Sequence, residues 1–347
     1  MSQCFSTPDN ALVEWPDAFG RRFLVTIDTE EEFDWATPGA SDDYDVSAIA
    51  ALPAMQQRFA AHGVSPIYMV DYVVAASETA AAIIRDILLS DSATAIGAQL
   101  HSWVTPPLGD ARARARVETF AGNLPREMEA AKLDRLIAVI ERSLHRRPCI
   151  YRAGRYGVGP HTIAALAARG FRLDASMRAR FDYSGEGGPD FSQVTATPFL
   201  LSDGGIVELP LTAIYTGLLR RHGATLHPLL GRVPRGRGVF ARSGLLSRVP
   251  LTPEGTSVRE AVRAIDVAAQ DGERLLQLSF HSPSLVPGHT PYVRTERDLA
   301  RFHAWWEHVF AALARHGYAP ASLQQVLDAC ADNAKRAVGP AGLEPAT

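Results

Sequence analysis

The feature of this sequence that most constrains its fold is a regular alternation of short apolar runs and longer helical patterns. Seven short apolar runs predict β-strands: Arg22–Asp28, Ser65–Val70, Ala95–His101, Pro148–Arg152, Phe171–Ala175, Ile206–Leu211 and Leu275–His281. Apolar residues at i, i+3 and i+4 predict helices over Val46–His62, Thr79–Leu88, Arg126–Leu144, Pro160–Ala168, Val258–Asp271, Thr295–His316 and Ala321–Asn333. Strands that alternate with helices form βαβ units, whose strands lie parallel in one sheet. Seven strands fit either an open doubly wound sheet or a barrel.

Composition excludes several classes of protein. The chain has 347 residues, 46% of them hydrophobic, and a formal net charge of -3. A general nucleic-acid binder is strongly basic and a disordered chain is poor in apolar residues, so we expect neither. Three scattered cysteines are too few for a disulfide framework. No apolar run approaches the ~20 residues of a membrane span, and no signal peptide is visible, so we expect a cytoplasmic protein without a membrane span.

The alternating pattern also divides the chain. We predict an N-terminal extension over residues 1–21, one domain over residues 22–334 and a flexible tail over residues 335–347. Within the domain, an interval at about 213–255 breaks the pattern and is rich in arginine, with Arg220, Arg221, Arg232, Arg235, Arg237, Arg242 and Arg248. These arginines indicate either a basic patch for an anionic partner or an insertion whose arginines face solvent.

Polar residues concentrate where the predicted strands end, and α/β folds place their ligand-binding groups there. In FLVTIDTEEEFDW, Asp28 ends the first strand, and the alternation of an extended chain puts Glu30 on the same side. Two carboxylates so placed can divide metal binding and proton transfer between them. The same residues also fit an acidic loop that faces water.

Three further strand ends carry amide, imidazole or guanidinium groups. Gln99 and His101 share one side of a strand in IGAQLHSWVTPP, Arg152 lies among glycines in YRAGRYGVG, and His281 ends the last strand. The sequence contains no GxSxG nucleophile motif, no HExxH motif and no phosphate-binding glycine loop. This elimination points to metal-assisted hydrolysis. A further polar stretch, LDASMRARFDYSGEGGPDF, offers Asp174, Arg178, Arg180, Asp182 and Asp190.

Five of these motifs, in this order, resemble those of the polysaccharide deacetylase family (carbohydrate esterase family 4, the NodB-homology domain). They are TIDTE at Thr26–Glu30, IGAQLH at Ile96–His101, YRAGRYG at Tyr151–Gly157, LDAS at Leu173–Ser176 and LSFHSP at Leu278–Pro283. The resemblance spans Phe23 to Leu327, and the stretch SFHSPSLVPGHTPYVR is similar to a bacterial subgroup called WalW-like. The resemblance to the family implies an α/β fold, a distorted (β/α)7 barrel, in agreement with the seven predicted strands.

The resemblance also implies roles for the strand-end residues. Asp28 would be the catalytic base, Arg152 would orient it, and His281 would be the general acid. In the family a divalent metal completes the site, and here we expect Zn²⁺, with Mn²⁺ and Co²⁺ as alternatives. Its ligands would be Glu30, Gln99 and His101.

Two departures from the family pattern affect the metal ligands. Thr29 follows Asp28 where the family usually has a second aspartate, so Glu30 takes the role of the metal-binding carboxylate. Gln99 stands where the family has a first histidine. A glutamine carbonyl oxygen can bind a metal, but it suits harder ions than an imidazole does.

The activity implied is hydrolysis of a carbon–nitrogen bond other than a peptide bond. The substrate would be an N-acetylated sugar or oligosaccharide, either a glycan or a glycan precursor. Two alternatives stay open. Gln99 is consistent with a catalytically impaired protein of the same fold that binds a glycan or a partner. Related barrels also act on small amides, which makes an amidohydrolase with a non-glycan substrate the other alternative.

Overall fold

The computed structural model describes residues 3–37, 39, 44–108, 116–201 and 205–337. The strands are β1 (Cys4–Ser6), β2 (Arg21–Thr29), β3 (Ile67–Val70), β4 (Ala95–Leu100), β5 (Ile150–Ala153), β6 (Leu173–Asp174), β7 (Asp190–Gln193), β8 (Phe199–Leu200), β9 (Val207–Glu208), β10 (Ala213–Thr216), β11 (Ser247–Pro250), β12 (Leu275–His281) and β13 (Tyr318–Pro320). The α-helices are α1 (Leu52–Ala60), α2 (Tyr72–Ala76), α3 (Glu78–Ser90), α4 (Arg126–Leu144), α5 (Thr162–Ala167), α6 (Gly223–Leu230), α7 (Gly236–Arg242), α8 (Val258–Gln270), α9 (Glu296–Arg315) and α10 (Leu323–Ala337).

Seven parallel strands form the centre of the molecule, in the order β12-β2-β3-β4-β5-β6-β9. They are the seven strands predicted from the sequence. β8 adds an antiparallel edge to β9, and β13 pairs with the first three residues of β2. The chain after β9 approaches β12, because the Thr212 amide donates to the Gln277 carbonyl at 3.2 Å. The sheet therefore curls into a distorted seven-stranded barrel, and the predicted α/β fold is confirmed.

The two faces of β2 show how the strands divide the interior. Phe23, Val25 and Ile27 pack outward in the core formed with the helices. Leu24 points the other way, into a smaller apolar cluster inside the barrel, and by alternation Asp28 lies on that inner side. The inside of the barrel is therefore apolar where the strands begin and polar at their carboxyl ends.

Each predicted helix is present, with bounds shifted by a few residues. α8 and α9 both begin at a capping box, formed by Ser257 with Glu260 and by Thr295 with Asp298. The predicted helix at Val46–His62 begins as a 3₁₀ turn at Ser47–Ala51 before α1. α10 extends to Ala337, so it includes the first residues of the predicted tail, and residues 338–347 lie outside the described residues. No described helix is long and apolar enough to cross a membrane.

The arginine-rich interval forms a lobe with its own two-stranded sheet, whose strands pack against the main core. β10 and β11 pair antiparallel, and α6 and α7 connect them. Arg220 pairs with Asp271 at 2.5 Å, and Arg248 turns inward, where it is half-buried. The remaining arginines of the lobe are exposed: Arg221, Arg232, Arg235, Arg237 and Arg242.

Candidate active site

A cavity of about 200 Å³ opens at the carboxyl ends of the parallel strands. It brings together five of the six residues predicted to form the site: Asp28, Glu30, Gln99, His101 and His281. The sixth, Arg152, is fully buried behind Asp28 and does not line the cavity. Aromatic side chains form much of the wall: Phe33, Trp35, Trp103, Tyr156, Tyr183 and Tyr292.

Asp28 is held by a buried ion pair. The Arg152 Nη1 donates to Asp28 Oδ1, its Nη2 donates to the Thr26 hydroxyl at 2.9 Å, and its Nε donates to the Ala175 carbonyl at 2.9 Å. These bonds fix the guanidinium, so its charge stays beside one carboxylate oxygen. The other oxygen, Oδ2, faces the cavity side and lies 3.5 Å from His281 Nε2. This arrangement orients the second oxygen of Asp28 toward the cavity.

His281 is paired with a carboxylate that the sequence did not reveal. Its Nδ1 lies 2.7 Å from Glu254 Oε2, and its backbone amide donates to Glu254 Oε1 at 3.1 Å. Burial lowers the pKa of His281, but the charges of Glu254, Glu30 and Asp28 outweigh burial and raise this pKa to about 10. His281 is therefore protonated at neutral pH, with Nε2 directed at Asp28.

The His281–Glu254 pair predicts a pH dependence of stability. The folded pKa of His281, about 10, exceeds the ordinary histidine value of 6.5. The stability that protonated His281 contributes to the fold is therefore complete below about pH 6.5 and is lost as pH rises toward 10. We expect the unfolding free energy of the wild type to fall over this range, relative to a His281→Gln, Glu254→Gln double variant. Urea unfolding in excess chelator measures both, and a constant difference would contradict the prediction.

Glu30, Gln99 and His101 converge on one point of the cavity. Gln99 Nε2 lies 2.9 Å from Glu30 Oε2 and 3.1 Å from His101 Nε2. Glu30 Oε2 and His101 Nε2 are 3.4 Å apart. Glu30 Oε1 and Gln99 Oε1 are buried without a hydrogen-bond partner in the described chain. Rotation of the Gln99 amide would place its carbonyl oxygen at the point where the other two atoms meet. One carboxylate oxygen, one amide oxygen and one imidazole nitrogen then fit a divalent cation.

Two pKa shifts determine the protonation state in which these ligands would meet a cation. Burial raises the pKa of Glu30 to about 8, and Asp28 and Glu31 add to the rise against the opposing effect of the two histidines. Burial lowers the pKa of His101, which is therefore neutral at pH 7 and able to bind a metal. A bound cation would offset the cost of ionising Glu30.

A buried layer behind the cavity orients His101. Glu31 accepts from His101 Nδ1 at 2.8 Å and from Trp103 Nε1 at 2.7 Å. With its proton on Nδ1, the imidazole directs the lone pair of Nε2 at Glu30 and Gln99, as in the carboxylate–histidine–metal arrangement of many metal sites. Asp71 lies beside Glu31. Burial, and to a lesser extent the charge of Glu31, raises the pKa of Asp71 well above its usual value.

Three functional positions were missed or left without a role in the sequence analysis. Asp71 follows the predicted strand Ser65–Val70 directly, so the strand-end rule could have found it. Glu31 stands in the acidic run after Asp28, where nothing distinguishes it from its neighbours. Glu254 comes from the end of the arginine-rich interval, and no periodic pattern in that interval marks it.

Comparison with protein-family models and with curated proteins finds no match. Comparison with solved structures finds several. A Mycobacterium smegmatis protein described as a polysaccharide deacetylase is 19% identical, with a TM-score of 0.56 over 94% of this chain and 96% of that one. A protein of Pseudomonas aeruginosa PAO1 with the same description is 12% identical, with a TM-score of 0.49 over 92% of each chain. A family 4 acetyl xylan esterase from Clostridium thermocellum, solved with a cobalt ion, is 13% identical, with a TM-score of 0.41 over 89% of this chain and 91% of that one.

The first of these structures carries the fold assignment. Its identity to this chain is low, but the two structures superpose over nearly the whole of both chains. This chain therefore has the α/β barrel fold of the polysaccharide deacetylases. Within that fold, the carboxyl ends of its strands carry an acidic and imidazole cluster able to hold a metal ion.

Proposed function

We propose that this protein is a metal-dependent hydrolase that removes N-acetyl groups from the amino sugars of a glycan or glycan precursor. The observation that carries the proposal is the convergence of Asp28, His281 and the Glu30–Gln99–His101 cluster in one cavity. The shared fold supports it, as does the motif order. The stretch from Ser279 to Arg294 favours membership in the WalW-like subgroup.

Glu30, Gln99 and His101 would hold the divalent ion, with Zn²⁺ the preferred ion and Mn²⁺ or Co²⁺ the alternatives. When bound, such an ion polarises an acyl oxygen and lowers the pKa of water. Glu31 keeps the His101 lone pair directed at this position.

Asp28 and His281 then divide the proton transfers. Asp28, held in place by Arg152, accepts the proton of the attacking water. His281, protonated through its contact with Glu254, donates a proton from Nε2 to the departing amine. His281 therefore begins the reaction in the protonation state that its role requires.

The aromatic wall supports a sugar as the substrate. Trp35 contacts the His281 ring edge-on, with centroids 4.8 Å apart, and contacts Tyr292 at 5.7 Å. Aromatic faces pack well against the apolar C–H faces of sugar rings, and polar groups at their margins fix the orientation of a ligand. The acetamido group would then lie against Asp28 and His281, which both line the cavity.

A second candidate function is glycan or partner binding without catalysis. The observation that favours it is the Gln99 amide, which donates from Nε2 to Glu30 in the present rotamer. This hydrogen bond satisfies Glu30 Oε2 without a cation. In this alternative the cavity binds its ligand without catalysis, and Glu30, Gln99 and His101 hydrogen-bond to one another instead of binding a metal.

Metal content separates the two functions. Elemental analysis of the wild type, His101→Ala and Gln99→His should follow incubation with Zn²⁺, Mn²⁺ or Co²⁺ and removal of excess metal. We expect near one ion per chain in the wild type, loss in His101→Ala, and tighter zinc binding in Gln99→His because imidazole is the better zinc ligand. Acetate release from N-acetylated oligosaccharides is measured in parallel.

No metal and no acetate from the wild type, together with retained affinity for the oligosaccharides, would reject the hydrolase in favour of the binding protein. Metal together with release of acid from a small amide, but none from the sugars, would instead indicate an amidohydrolase with a non-glycan substrate.

A further inference from the structure

The charged groups that line the cavity are paired, with one exception. Asp28 pairs with Arg152, Glu254 pairs with His281, and Glu186 pairs with Arg155. Arg178 lines the same cavity, but no ion pair joins it to a carboxylate in the part of the chain that the structure describes. The cavity therefore carries a guanidinium whose charge is not compensated by a direct contact.

Aromatic groups surround Arg178 in place of a carboxylate. Its guanidinium carbon lies 3.9 Å from the centroid of the Phe181 ring and 5.4 Å from that of Tyr156. Its Nη1 donates to the Tyr183 hydroxyl at 3.4 Å. Stacking on rings holds the planar group in place and uses few of its five N–H donors. Arg178 is half-buried, so its remaining donors are fixed in direction and available to a ligand.

A second arginine makes this region more positive. The Arg248 guanidinium lies 3.4 Å from the centroid of Phe181, and its Nη1 donates to the Arg180 carbonyl at 2.7 Å. Two guanidinium groups cannot both lie this close on one face of a ring, so Arg178 and Arg248 stack on opposite faces. Burial and the Arg178 charge lower the pKa of Arg248 to about 10, which leaves it charged at neutral pH. A bound anion would relieve the repulsion between the two.

We propose that Arg178 is an anion-binding position of the substrate cavity, and that the amino-sugar substrate carries a carboxylate or a phosphate. The identification of the ligand as an amino sugar rests on the proposed function. The identification of an anionic group on that sugar rests on Arg178 and its surroundings. A guanidinium binds either group through paired N–H donors. Arg248 comes from the arginine-rich lobe and stacks on Phe181 without lining the cavity, so Arg178 is the group that would contact the anion.

The test compares three sugars that share the same ring: N-acetylglucosamine, its 3-O-lactyl ether and its 6-phosphate. Binding to metal-loaded wild type, Arg178→Met and Arg178→Lys is measured by calorimetry and by ligand-observed NMR. We expect the wild type to bind at least one anionic sugar about 10- to 100-fold more tightly than the neutral sugar. Arg178→Met should lose that preference, whereas Arg178→Lys should keep part of it. Which anion is preferred distinguishes carboxylate from phosphate.

Arg220→Met is the matched control, because Arg220 pairs with Asp271 instead of lining the cavity. It should retain the wild-type preference, and thermal melts of all variants check their folding. Equal affinity of the wild type for the three sugars, or no measurable binding of any of them, would overturn the proposal. So would an unchanged preference in folded Arg178→Met. Acetate release is recorded separately, so Arg178-dependent binding without release would contradict the hydrolase and support the anion position.

Discussion

Asp28→Asn should reduce acetate release by about 10²–10⁴-fold, the usual contribution of a positioned proton acceptor. The amide that replaces the carboxylate cannot accept a proton from water, although its size and position are nearly the same. Steady-state acetate release from an N-acetylated oligosaccharide, at saturating metal and substrate, measures the effect.

The same change also removes the counter-charge of Arg152, so folding must be checked beside activity. An uncompensated buried charge costs about 3–5 kcal/mol, and rates should therefore be compared at a temperature where thermal melts show both proteins folded. Asp328→Asn, at an exposed position of α10, is the matched control and should behave as the wild type. Undiminished turnover by folded Asp28→Asn would remove Asp28 from the role of base.

Arg152→Met should lower the free energy of unfolding by about 3–5 kcal/mol. Arg152 is fully buried and donates to Asp28, to Thr26 and to the Ala175 carbonyl. Methionine fills similar space but removes all three of these hydrogen bonds, one of them to a charged group. Denaturant unfolding at pH 7 measures the loss.

A double variant makes this prediction specific to the ion pair. Arg152→Met combined with Asp28→Asn removes both charges, so it should lose less stability than the sum of the two single changes. Arg146→Met, at an exposed arginine, should stay within about 0.5 kcal/mol of the wild type. Strictly additive losses would show that Asp28 and Arg152 do not stabilise each other.

The barrel strands could be predicted from the sequence because each is a short apolar run buried on both faces. The strands that were missed are β1, β7, β8, β10, β11 and β13, and each has only two to four residues. Their positions depend on contacts with distant segments, as when β1 pairs with β7 across more than 180 residues. Three helices were missed, α2, α6 and α7, and each has only five to eight residues, little more than two turns at most.

The residues of the site likewise divide into those that the sequence could predict and those that it could not. Asp28, Gln99, His101 and His281 lie at the ends of predicted strands, and the parallel sheet brings those ends together. Glu254 reaches His281 from the arginine-rich lobe, whose path is fixed by tertiary packing and not by periodicity. The anion-binding position of Arg178 depends on stacking with Phe181, and ring contacts of this kind leave no spacing signal in a sequence.

The pairing of β2 with β12 has a consequence for the order in which the molecule forms. Asp28 and His281 face each other at the end of this pair, although 252 residues separate them along the chain. During synthesis β2 emerges early and keeps one edge without its neighbour until nearly the whole barrel has left the ribosome. Non-local parallel pairing of this kind is slow to form, and an uncovered strand edge invites association with other chains. The Asp28–His281 pair is thus completed only when β12 joins the sheet, and the proposed reaction requires that late step.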